Sequence, residues 1–324
     1  MFKKLGIVHK WIKTWGALPV WSWVRAAEYY EKKDFRHASE LYKKGLETHL
    51  NHPAGVCAAI DLANCFLKLN RLEDAESILV ETLSKNPNQK EVALRLIKIY
   101  DRSGNYVKSS LIWRDIVKRY PNNPDYVARF ILGVLENGGP SALLQEAVLA
   151  LLALDPKLLS CPLIEVARAA LIVQKRDPKR GRAVLAVIAG RENAPFESYL
   201  WFARALLKEG SARQAREWLT KALELKSNHP EVLSLLAQTY LFTSKEYEPE
   251  FAVQLATSAC QNSNWLNPLQ MHTLAQAFYQ VGDRMSALLV ASKAKEVGRR
   301  RFGVFKDADN IDRLIEELSS GTLA

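Results

Sequence analysis

Residues 56–121 read VCAAIDLANCFLKLNRLEDAESILVETLSKNP followed by NQKEVALRLIKIYDRSGNYVKSSLIWRDIVKRYP. Laid over each other at a shift of 34, the two halves coincide: Leu62 falls on Leu96, Phe66 on Tyr100 and Asn70 on Gly104. Leu72 falls on Tyr106, Ala75 on Ser109, Leu79 on Trp113 and Pro87 on Pro121. Each half carries an apolar helical stripe, a Gly or Asn, a second stripe and a closing proline. Spacing of this kind predicts two amphipathic helices joined by a tight turn, repeated.

The same pattern extends outward in both directions. Copies are expected at about 19–53, 56–89, 90–123, 124–157, 164–195, 196–229, 230–267 and 268–298. The sixth is clear, with Phe202, Ala203, Leu206, Gly210, Ala215, Leu219, Ala222 and Pro230. The eighth offers Ala275, Phe278, Gly282, Ala287, Ala291 and Ala294. The fourth has its turn lengthened by Gly139-Pro140, and in the degenerate fifth Ala183 is the one small residue that falls in place. Small residues let the helices of a hairpin approach, and aromatic ones fill the space between hairpins. Asn70, Gly104, Gly210 and Gly282 fall where the first helix must stop in a left-handed conformation.

A unit of about 34 residues with these positions resembles the tetratricopeptide repeat (TPR). The resemblance implies an all-α fold, a right-handed α-solenoid of about eight helix–turn–helix hairpins. After it, residues 299–324 read as a basic linker and a capping helix in which Ile311, Leu314, Ile315 and Leu318 form one stripe. Trp21 and Trp23 are expected in the packing of the first repeat.

The 324 residues, 48% hydrophobic, describe an ordered chain too long for one compact core. Cys57, Cys65, Cys161 and Cys260 lack paired spacing and read as buried small hydrophobes. No HExxH, phosphate-binding glycine loop, nucleophile elbow or paired Cys/His spacing is present, so neither catalysis, a metal nor a cofactor is expected. His49 and His52 lack a third ligand nearby.

The net charge of +10 is uneven: residues 1–27 carry Lys3, Lys4, Lys10, Lys13 and Arg25 with no acid, and further clusters lie at 175–182 and 299–301. Such patches favour acidic partners, anionic lipid or nucleic acid. In residues 1–18, Leu5, Val8, Trp11, Ile12 and Trp15 share one arc of a helical wheel, opposite the lysines. That basic amphipathic segment caps the first repeat, touches an anionic membrane surface or is a mitochondrial-type presequence, the last weakened by its use of Lys rather than Arg. The apolar run LGIV is too short for a secretory signal, and the expected location is the cytoplasm, peripheral to the inner face of a membrane.

The resemblance also implies that the first helix of each hairpin lines a concave face. Carried onto this chain, its contact positions give Asn64, Lys68, Lys98, Arg102, Arg204, Lys208, Gln238, Gln276 and Tyr279. They describe a groove that is basic in the middle and amide-rich at its C-terminal end, suited to an extended acidic peptide. The family's carboxylate clamp is not reproduced, since Ile60 stands where a Lys is required and Lys98 replaces an Asn. The expected function is a non-catalytic protein-interaction scaffold, with self-association through a terminal hairpin a further expectation. An RNA-associated reading is the alternative, and Glu91, Asp101 and Glu197 in the groove argue against it.

Overall fold

The computed structural model describes residues 20–49, 52–136, 141–175, 177–241, 247–303 and 307–320. The arc of Leu5, Val8, Trp11, Ile12 and Trp15, the turn at 138–140, Arg176 and Phe242 lie outside the described residues. Among the described residues the chain is all-α, with seventeen α-helices, one short 3₁₀ turn at Pro156–Leu158 and no strand.

The helices fall into eight successive hairpins. They are α1/α2 (Trp21–Glu31, Phe35–Thr48), α3/α4 (Gly55–Lys68, Leu72–Lys85), α5/α6 (Lys90–Ser103, Tyr106–Arg119) and α7/α8 (Pro124–Glu136, Ser141–Leu152). Then come α9/α10 (Pro162–Lys175, Pro178–Ala189), α11/α12 (Phe196–Lys208, Ala212–Leu225), α13/α14 (Pro230–Leu241, Pro249–Asn262) and α15/α16 (Pro268–Val281, Arg284–Phe302). A last helix, α17 (Ala308–Ser320), packs on α16. The expected eight-hairpin α-solenoid class is therefore the observed one.

One device builds most hairpin turns. Asn70, Gly104, Gly210 and Gly282 take positive φ (59°, 77°, 77° and 91°), and Lys33 does the same in the first hairpin at 63°. Behind each, a backbone N–H reaches back five residues: Asp34 to Tyr29, Arg71 to Phe66, Asn105 to Tyr100, Ser211 to Leu206 and Asp283 to Phe278, at 2.8–3.0 Å. This is the Schellman closure, which satisfies carbonyls the helix end would leave open. Asp34, Asn105 and Asp283 then cap the second helix by accepting from the N–H of His37, Lys108 and Ser286.

The chain divides into two compact units, residues 1–99 and 100–324, with the boundary inside α5. In the first unit Trp23, Tyr42, Leu62, Leu79 and Leu96 are fully buried. Trp23 lies over Gly45, where any side chain would overlap its indole, and its Nε1 donates to the Tyr42 carbonyl at 3.3 Å. Trp21, expected in the same packing, is 70% exposed. Two residues earlier on the helix, it faces the opposite side.

In the second unit the core runs through Phe130, Ile131, Ile164, Leu185, Leu206 and Leu219. It ends in a cluster that takes in Ile311, Leu314 and Leu318 of α17. Two expectations are corrected there. Ala183 is exposed, and the small residue of the fifth hairpin is Gly181. A Cβ at 181 would come within 2.6 Å of the Val173 backbone nitrogen and 3.0 Å of the Ala169 carbonyl. Arg299, Arg300 and Arg301 form the last turn of α16 rather than a linker, where three cations oppose the negative end of the helix dipole.

The second unit also makes a long-range seam. Arg102 donates to the Asn262 carbonyl at 2.8 Å and to Asn264 Oδ1 at 3.0 Å. A Cβ on Gly104 would meet the Asn267 side chain at 2.8 Å, and Asn105 Nδ2 donates to the Arg301 carbonyl at 3.4 Å. The α5–α6 turn is thereby tied to the α14–α15 loop, 160 residues away, and to the end of α16, 196 residues away.

Candidate binding faces

In the first unit the exposed side of the first helices carries one arginine that is bonded and two lysines, Lys68 and Lys98. Arg95 Nη1 donates to Asn64 Oδ1 at 2.9 Å, joining α5 to α3, while Arg95 Nη2 reaches Glu91 on its own helix at 3.0 Å. Lys68 is one helical turn beyond Asn64, and Lys98 three residues beyond Arg95, so each extends the same face of its helix. Both lysines are exposed, and neither has an ion-pair partner among the described residues. The buried Cys65 below this face has its thiol pushed up to about 12, chiefly by desolvation and further by Asp61, which leaves it unreactive.

The second unit places a cavity of about 290 Å³ among its first helices. Glu136 from the end of α7 and Glu231 from the start of α13 both pair with Arg204 of α11. Their side chains are 10%, 18% and 18% exposed in that order. The Arg204 guanidinium lies over Trp201, 4.9 Å from the ring centroid. Tyr106 donates to Glu231 Oε2 at 3.4 Å, and burial together with Glu136 raises its pKa. Nearby polar groups are mostly paired: Gln238 Nε2 donates to Thr273 Oγ1 at 3.1 Å, as does Ser234 Oγ at 3.2 Å. Gln270 is 3% exposed, and its Oε1 has no hydrogen-bond partner among the described residues.

The expected contact residues are thus distributed unequally. Arg102 is spent on the seam, and Arg204 is held between two glutamates. Gln238 is bonded to Thr273, and Tyr279 donates to Glu317 Oε1 at 2.7 Å. Lys208 lines the cavity. Gln276 is half-buried on α15. Asn64, Lys68 and Lys98 lie together on the first unit.

Sequence reasoning missed Glu136, Glu231, Tyr106 and Gln270. One signal was present: the second residue of α5, α11 and α13 is in each case a glutamate, Glu91, Glu197 and Glu231. Each meets an arginine, since Glu91 pairs with Arg95, Glu197 with Arg129 at 3.7 Å and Glu231 with Arg204. Tyr106 gave none, because it aligned with the apolar Leu72 and its hydroxyl partner is 125 residues distant.

A family model described as tetratricopeptide repeat matches residues 196–229, the α11/α12 hairpin. A chain in the crystal structure of the APC/C hetero-tetramer Cut9-Hcn1 aligns with TM-score 0.61 at 16% identity, covering 93% of this chain and 63% of that one. The chain carries a tetratricopeptide repeat at 196–229 and has the fold of tetratricopeptide repeat proteins. The repeat protein spans under two thirds of the length of that relative. A human IFIT1 dimer with m7Gppp-AAAA aligns with TM-score 0.53 at 13% identity, covering 99% of this chain and 85% of that one. At these identities the likeness is one of fold. Among the described residues no helix is long and apolar enough to cross a membrane.

Proposed function

We propose that this repeat protein is a non-catalytic scaffold that holds an acidic segment of a partner protein on the first-helix face of residues 55–99. One observation carries the reading: Lys68 and Lys98 flank the Asn64–Arg95 hydrogen bond and stand without carboxylate partners among the described residues. Solvated lysines on an otherwise joined surface offer charge at no cost in broken ion pairs. A ligand carboxylate would gain charge-assisted hydrogen bonds, and the Asn64 amide retains N–H donors for a peptide backbone. The amide of Gln276 and the cavity-lining Lys208 offer further polar contacts in the second unit. Catalysis has no part in this reading. A cytoplasmic location, peripheral to an anionic membrane through residues 1–18, completes it and rests on the sequence alone.

Fluorescence polarisation with labelled acidic and charge-neutralised twelve-residue peptides tests the assignment directly. Acidic peptides should bind, with affinity falling as salt rises. A Lys68→Glu/Lys98→Glu variant that keeps its helicity should lose at least ten-fold in affinity, about 1.4 kcal/mol. Equal binding by the variant and the parent would remove this face from consideration.

The reading does not extend to polyphosphate or nucleic acid in the second unit. There the cavity presents Glu136 and Glu231 with Arg204 already paired to both, and phosphates would be repelled.

A further inference from the structure

The cavity of the second unit contains an unbalanced charge and an unfilled acceptor. Glu136 and Glu231 share a single guanidinium, that of Arg204, and the charged residues of the lining are three carboxylates (Glu136, Glu231, Asp307) against two cations (Arg204, Lys208). One negative charge is left over in a site whose carboxylates are 10% and 18% exposed. An anion held away from water without a counter-charge is costly. The two carboxylates also offer about eight lone-pair sites, more than one guanidinium and one tyrosine hydroxyl can fill. Gln270 adds a second, independent sign: it is 3% exposed, lines the cavity, and its Oε1 accepts nothing. The spare carboxylate lone pairs and Gln270 Oε1 call for a donor, and the excess of negative charge calls for a positive one.

We propose that this cavity binds a compact organic cation, an alkylguanidinium or alkylammonium group on a short apolar stem. Its charged head pairs with Glu136 and Glu231 and donates to Gln270, and its stem lies along Trp201 and the leucines of the lining. The volume of about 290 Å³ is at the small end of ligand sites, which fits one side chain or a small amine rather than a folded element. A metal ion is the less suited occupant, since among the described residues no three His, Cys, Asp or Glu side chains are grouped to hold one. The cation can come from a free small molecule or from an arginine or lysine side chain of a partner. The inference stands apart from the acidic-segment reading, because Lys68 and Lys98 take no part in it.

Isothermal titration of the full chain with butylguanidinium, and with butylurea as its neutral analogue, tests the site. Butylguanidinium should saturate it and butylurea should not. Glu136→Gln leaves Arg204 and Glu231 as a balanced pair, so it should fold, and it should weaken butylguanidinium binding at least ten-fold. Gln270→Met, close in size but without the acceptor, should weaken it several-fold. Lys68→Glu/Lys98→Glu should leave it unchanged, which separates this site from the peptide face. A blocked Gly-Arg-Gly peptide that binds more tightly than butylguanidinium assigns the cation to a partner's side chain. Binding of butylguanidinium alone assigns it to a diffusible small cation. No saturable binding, equal binding of butylurea, or undiminished affinity in both cavity variants overturns the proposal.

Discussion

The two units use the same helix positions for opposite ends. On the first unit Lys68 and Lys98 project without counter-charges among the described residues, around the Asn64–Arg95 bond. On the second, Arg102 and Arg204 stand on first helices that gave the same expectation, yet both are bonded to groups of other hairpins. Lys68 and Lys98 are therefore charge open to a ligand, whereas Arg102 and Arg204 join hairpins. The difference comes from glutamate and carbonyl partners supplied by other hairpins. Residue type alone overstates the positive potential available to a ligand.

The largest expected effect comes from exchanging these roles. Arg204→Met leaves Glu136 and Glu231 facing each other without a cation, and should lower stability by about 3–5 kcal/mol in urea unfolding. Lys98→Met on the first unit should change it by less than about 0.5 kcal/mol. Similar losses at both positions would erase the contrast.

Packing gives the next comparison. Gly181→Ala drives a methyl against backbone atoms of α9 that cannot step aside, so about 1–3 kcal/mol should be lost. Ala183→Ser, two residues on and exposed, should fall within about 0.5 kcal/mol of the parent.

A third test uses acidity. His229, against the ring of Phe196, has its pKa lowered to about 4, first by burial and then by Lys226 and Arg204. The unfolded chain takes up that proton near pH 6.5, whereas the folded chain resists it until about pH 4. Stability from this group is therefore present above pH 6.5 and declines as pH falls through the window. About 2 kcal/mol should be lost between pH 7 and pH 5. His229→Gln should flatten that part of the stability–pH curve, and an unchanged slope would count against the burial of the ring.

The smallest effect is expected at Tyr106. Removing its hydroxyl in Tyr106→Phe forfeits the contact with Glu231, for about 0.5–1.5 kcal/mol by thermal or urea unfolding. A loss above that range would mean that the hydroxyl does more for the cavity than its one contact indicates.

What was legible in the sequence was what depends on neighbours within one repeat. Asn70, Gly104, Gly210 and Gly282 announce left-handed turns because no side chain elsewhere decides them. The apolar stripe of α17 likewise fixes which of its faces is buried. The fifth hairpin was misregistered at Ala183 because its stripe is weak. The cue lay in Asp177-Pro178, where Asp177 caps by accepting from the Arg180 N–H and sets α10 so that Gly181 faces α9. The face residues were legible only as positions. Whether Arg102 or Arg204 is available depends on Asn262, Asn264, Glu136 and Glu231, and nothing local to either arginine foretells those partners.

The seam at Arg102 bears on how this array could change over time. An open run of hairpins gains or loses a member cheaply, because each touches only its neighbours. In the second unit Arg102, Gly104 and Asn105 meet the 262–267 loop and Arg301 across the intervening hairpins. Inserting or deleting one hairpin there would pull those groups out of reach of each other. The number of repeats between α6 and α14 is in effect a fixed count, whereas repeats outside that interval carry no such tie.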